Sequence, residues 1–126
     1  MEVGRLKRRA DFLRLARKGR RTAAKGLVLQ AAPLSVDPAQ PDRSGDATTI
    51  RIGFTASKKV GNAVRRNRAK RRLRALATDY LVPRAEPGND YVLIARAATV
   101  ERDFDDLTAD LLHSLKRLKL LREGTV

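Results

Sequence analysis

With 126 residues, no cysteine and a formal net charge of +14, the chain has room for one compact domain but no disulfide framework, thiolate nucleophile or cysteine-built zinc site. Its longest apolar runs, such as Tyr91 to Ala95, fall far short of the roughly 20 residues of a membrane-spanning helix, so a soluble cytoplasmic protein with no membrane partner is expected. The charge is one-sided: residues 1 to 78 hold 21 basic and 5 acidic side chains, residues 79 to 126 hold 7 and 9, and no Asp or Glu lies between Asp46 and Asp79. A field of one sign steers and grips an anionic partner, and the expected polyanion is RNA.

The opening MEVGRLKRRADFLRLARKGRR is rich in arginine. Glu2 and Asp11 interrupt it and no cleavage-like site follows an apolar core, which favours a short amphipathic helix over a transit peptide. Asp11 or the residue before it opens this helix, Phe12, Leu13, Leu15 and Ala16 supply its apolar side, and Gly19 ends it, free to turn left-handed. Arg14, Arg17, Arg20 and Arg21 then remain for solvent or phosphate. Gly26 to Ala32 reads as a first strand closed by Pro33, with Leu27, Leu29 and Ala31 on one face and Val28 and Gln30 on the other. Ser35 to Ala47 carries Pro38, Pro41 and Gly45 among small polar residues. It is expected to be a loop between paired strands, and the part most prone to disorder.

Thr49 to Ser57 is the clearest strand, since Ile50, Ile52, Phe54 and Ala56 alternate with Arg51, Gly53 and Thr55. Lys58 to Gly61 then turns into a helix from about Asn62 to Asp79, whose apolar positions Ala69, Leu73, Leu76 and Tyr80 recur at helical spacing. Pro83, Pro87 and Gly88 end it. Tyr91 to Ala97 is nearly all apolar, which suits a central strand covered on both faces. The last helix runs from about Asp103 to Arg122 on a stripe of Phe104, Leu107, Leu111, Leu115 and Leu118. The reading is of the α+β class: a small two-layer α/β sandwich in the order α-β-β-α-β-α, with one extra short strand that the pattern does not place. A single RNA-binding domain would span residues 1–126.

No catalytic constellation is legible. His113 is the only histidine and has no cysteine or paired base nearby. The acidic group Glu101, Asp103, Asp105, Asp106 and Asp110 lacks the spacing and glycine of a metal loop, and capping of the last helix accounts for it, so no metal is assigned to the protein. The helix after the second strand is different. Lys58, Lys59, Arg65, Arg66, Arg68, Lys70, Arg71, Arg72 and Arg74 fall within seventeen positions without one carboxylate. Solvated helix faces normally interleave Glu with Lys, so this one is read as a phosphate-tracking surface. Arg65, Arg68 and Arg72 would rise along one side, with Arg66, Lys70 and Arg74 beside them and Asn67 adding amide contacts.

The stretch SKKVGNAVRRNRAKRRLR closely resembles the signature of the bacterial ribonuclease P protein subunit. The matching core is Ser57, Lys58, Lys59, Gly61, Asn62, Ala63, Val64, Arg66, Asn67, Arg68, Lys70 and Arg71, including the Arg-Asn-Arg triplet. The likeness extends through RLKRRADF, the Leu27 to Gln30 strand, RIGFTAS and YVLIAR. It implies a protein cofactor of a ribozyme: the ribonuclease P RNA holds the catalytic magnesium ions and cuts the 5′ leader from precursor transfer RNA, and the protein binds both RNAs without an obligate protein partner. By this resemblance, Arg66, Asn67 and Arg68 with Lys58, Lys59, Asn62, Lys70, Arg71 and Arg74 face the catalytic RNA. A leader cleft between the first helix and the sheet takes in Phe12, Val28 and Gln30, and the βαβ crossover is left-handed.

Two features stand apart from that pattern. Ala16 and Gln30 occupy positions where the family often places further aromatics, so leader contacts should depend more on charge than on stacking. Phe12 is also a candidate for the core. The rival from another class is a structural RNA-binding protein such as a small ribosomal protein, which composition alone does not separate. The ordered SKKVGNAV and Arg-Asn-Arg pattern opening a helix between two strands separates them.

Overall fold

The computed structural model describes residues 3–34 and 49–122. Five strands form one sheet in the order β1-β4-β5-β3-β2. They are β1 (Val3–Arg5), β2 (Arg20–Ala23), β3 (Leu27–Pro33), β4 (Ile50–Thr55) and β5 (Asn89–Ala95). β4 runs parallel to both β1 and β5, whereas β3 runs antiparallel to both β5 and β2. Helix α1 spans Arg9–Lys18, α2 Ala63–Leu76 and α3 Phe104–Arg117. The mixed architecture expected from the sequence is present, with two short edge strands, β1 and β2, where one extra strand was expected.

The centre of the sheet follows from hydrophobicity. In β5, Tyr91, Leu93 and Ala95 join the main core with Leu27, Leu29 and Ala31 of β3, Ile50 and Ile52 of β4, and the apolar stripes of α2 and α3. The opposite face of the same strand supplies Val92, packed with Leu6, Leu15 and Ala32, and with Phe12 and Ile94 against them. β5 is therefore central and covered on both sides. The helices α2 and α3 form the main layer, and α1 lies on the reverse face.

Several boundaries differ from the sequence reading. β3 and β4 are not neighbours, because β5 lies between them; the segment expected to join paired strands connects separated ones, and its residues 35–47 lie outside the described residues. Gly19 is extended (φ −78, ψ 166) rather than left-handed. Its lack of a side chain serves close approach instead: a Cβ there would sit 2.5 Å from the Leu15 carbonyl oxygen and 2.9 Å from that of Ala31. Of the expected apolar side of α1, Leu15 is buried and Phe12 half-buried, but Leu13 and Ala16 are exposed.

Helix α2 does not stop at Asp79. It continues through a π-turn (Ala77–Leu81) into a final turn, Val82–Arg84. The widened turn accommodates Pro83, whose ring would otherwise press on the carbonyl four residues earlier. α3 ends at Arg117 instead of Arg122, because Lys119 adopts the left-handed conformation (φ 60) and the Leu120 amide donates back to the Leu115 carbonyl at 2.8 Å. The chain after it returns to pair Leu121 with Ala85.

Candidate nucleic-acid interface

The N-terminus of α2 is built by three consecutive devices. Ser57 accepts a hydrogen bond from the Lys59 amide and starts a short 3-10 turn, Lys58–Val60, whose Val60 is buried. Gly61 then takes φ +140, a backbone conformation in which a side chain is strained. Asn62 caps α2 by accepting the Arg65 amide at 2.9 Å on Oδ1. Lys58 and Lys59 are left exposed at the entry to the helix.

Ala69, Leu73 and Leu76 face the core, and the cations divide around them. On one flank, Arg68 donates Nε to the Val100 carbonyl at 3.1 Å, and Arg72 donates to the carbonyls of Thr99 (2.6 Å) and Arg102. Arg65 approaches Glu101 at 3.5 Å, an exposed pair. Desolvation by burial, and then the nearby Arg68, lower the Arg72 pKa from its ordinary value. This row stitches the helix to the turn at 97–102, so Arg72 is engaged within the protein instead of forming part of an open cationic strip. The other flank carries Arg66 and Lys70, half-buried, and Arg74, whose guanidinium lies 6.0 Å from the Phe54 ring centroid. Asn67 and Arg71 point outward, beside Val64, which is 74% exposed.

On the reverse face of the sheet, a cleft of about 580 Å³ has Val28 and Ile94 in its floor and Arg21, Lys25, Ser57, Lys59 and Arg96 around it. Of the three residues expected in a leader cleft, only Val28 lines it. The Phe12 ring sits on β4 where Gly53 leaves room, since a Cβ at Gly53 would lie 2.6 Å from the ring. Gln30 is buried in β3 opposite Arg21 and Val92. Lys59 joins the cleft to the start of α2. Lys25, Ile94 and Arg96 were missed because they sit apart in sequence and meet only through the β3–β5 register, which pairs Val28 with Ile94. Arg96 also donates to the Ala24 carbonyl at 2.6 Å, holding the β2–β3 turn against the end of β5.

A buried ionic clamp fixes α1 to the reverse face of the sheet. Asp90 has no solvent exposure and receives Arg51 Nε at 2.7 Å, together with the guanidinium of Arg14 from α1. Arg14 also donates to the Pro33 carbonyl at 3.1 Å. The hydrogen bond that Arg51 donates to Asp90 raises the Arg51 pKa, against the desolvation that opposes it. Arg14, expected to remain for solvent or phosphate, is thus a structural cation. At the other end of the sheet, Asp110 pairs with Arg102 at 2.7 Å and accepts the Gly26 amide, and Asp103 caps α3 through the Asp105 amide at 2.9 Å. His113 is exposed on α3.

The profile of the Ribonuclease P family matches residues 2–119. The chain belongs to the ribonuclease P protein family. A ribonuclease P protein component from Paramagnetospirillum magneticum is 50% identical over 121 residues, covering 96% of this chain and 86% of that relative. Among solved structures, the RNase P protein of Staphylococcus aureus aligns with a TM-score of 0.71 at 28% identity, covering 94% of this chain and 97% of that one. The Thermotoga maritima RNase P protein gives a TM-score of 0.69 at 27% identity over 90% and 96%. The resemblance carried by SKKVGNAVRRNRAKRRLR is therefore borne out, and this family member shares the mixed five-stranded fold of those structures.

Proposed function

We propose that this ribonuclease P protein component binds the ribonuclease P RNA through α2 and the 5′ leader of precursor transfer RNA along the reverse-face cleft, assisting leader removal in the cytoplasm. The RNA subunit carries the chemistry and requires the magnesium ions. The observation that carries this reading is the outward part of α2 and of the turn that leads into it, where Lys58, Lys59, Arg66, Asn67, Lys70, Arg71 and Arg74 stand without a carboxylate among them. Guanidinium groups fork onto phosphate oxygens, and Asn67 supplies amide donors beside them. The cleft suits a single strand: an apolar floor of Val28 and Ile94 supports bases while Arg21, Lys25 and Lys59 meet the backbone. Its floor is aliphatic, in line with leader binding that depends on charge more than on ring stacking.

Reconstitution tests the proposal. Mixed with a bacterial ribonuclease P RNA at low magnesium, the protein should raise cleavage of a precursor transfer RNA that carries a leader, and should cut nothing without that RNA. With about six phosphates neutralised, the logarithm of affinity should fall against the logarithm of salt with a slope on the order of −4 to −5. Replacing Arg66, Lys70 and Arg71 by Ala should flatten that slope. Unaided cleavage by the protein, or an unchanged slope, would overturn the reading.

A further inference from the structure

A second groove lies on the main-core side of the sheet, between the edge strand β1 and the π-turn that follows α2. Its floor and walls include Val3, Ile52, Phe54 and Val82, and its rim carries Arg5 and Arg74. The volume of this open groove is about 210 Å³, below the roughly 300–1,000 Å³ of clefts for drug-sized ligands. Val3 is 51% exposed and Phe54 only half-buried, so apolar surface is left uncovered here. The Arg74 guanidinium lies 6.0 Å from the Phe54 ring centroid, within cation–π range, on the wall of the groove. The groove also borders an irregular helical turn: Ala77 and Thr78 of the π-turn line it, and such turns are frequent at functional sites.

Resting on the reading that this chain binds RNA, we infer that the groove seats one unstacked nucleobase of an RNA strand, with Arg5 and Arg74 holding the flanking phosphates. The occupant follows from chemistry. The lining pairs two guanidinium groups with an aromatic ring and contains no carboxylate, which matches a base with an anionic backbone better than an apolar peptide. The size admits one base and excludes a duplex. Arg74 stands at the end of the flank that Arg66 and Lys70 begin, so a strand whose phosphates follow that row reaches the groove without changing direction.

The test is a methyl and amide NMR titration of the full chain with single-stranded pentaadenylate, alongside an abasic phosphodiester of equal length. Pentaadenylate should shift the methyl signals of Val3, Ile52 and Val82, and the abasic strand should leave them in place. Phe54→Leu, which keeps the groove apolar, should weaken binding read at the Val3 and Val82 methyls by about fivefold or more, with the urea midpoint recorded to show that the variant is fully folded at the temperature of the titration. Equal shifts from both strands, or unchanged affinity in Phe54→Leu, would overturn the base seat. Shifts at the Asn67 and Arg71 amides with silent groove methyls would sink the inference alone; silence at both would sink RNA binding as well.

Discussion

Asp90 is a buried carboxylate that joins two arginines from different elements. It is fully buried and bridges β5 to β4 through Arg51 and to α1 through Arg14. Removing one partner of a buried pair leaves an uncompensated charge, so Asp90→Ala should cost about 3–5 kcal/mol, measured by urea unfolding. Two neighbouring arginines of α2 with different roles are distinguished by a second pair of variants. Arg72→Ala breaks charge-assisted bonds to two carbonyls and should lose about 1.5–3 kcal/mol of stability. Arg71→Ala, on the exposed side of the same turn, should leave stability within about 0.5 kcal/mol while reducing the magnitude of the salt slope of RNA binding by about 0.7–0.9. Denaturation and salt titration of both proteins check the contrast.

At the level of elements, the entry to α2 depends on two adjacent residues. Asn62→Ala should cost about 1 kcal/mol through loss of the cap. Gly61→Ala should cost more, because it adds the strain of φ +140 and places a Cβ 2.8 Å from Arg65 Cδ; thermal unfolding of the two variants ranks them. Elements with strong periodicity were legible in the sequence: β4 from its alternating Ile50, Ile52 and Phe54, β5 from its apolar run, and α2 and α3 from their stripes. β1 and β2 were not. A three-residue strand such as Val3–Arg5 is too short to show a period, and Arg20–Ala23 is an edge strand in which Thr22 alone is buried, so its arginines read as free cations. The cationic character of α2 was legible too, but its division was not. Whether Arg72 meets a phosphate or a carbonyl is decided by the 97–102 turn, whose position depends on long-range strand register.

Across the whole molecule, the fold's response to pH follows from Tyr91. Its phenol is buried in the main core and donates to the Glu86 carbonyl at 2.6 Å, and burial pushes its pKa well up from the ordinary 10.0. Below that ordinary value folded and unfolded chains hold the proton alike, so the contribution is constant. As pH rises past 10.0 only the unfolded chain ionises, and stability should fall. Urea midpoints between pH 8 and 11 should drop at the alkaline end, and Tyr91→Phe should lessen that drop.

The stitching of α2 to the 97–102 turn by Arg72, matched on the reverse face by the clamp on α1, has a consequence for how partners are met. Both cationic helices are bolted to the sheet before any polynucleotide arrives. If α2 and the reverse-face cleft meet RNA as proposed, the conformational entropy lost on assembly falls chiefly on the nucleic acid, and the protein is a rigid template onto which a pliable strand is moulded.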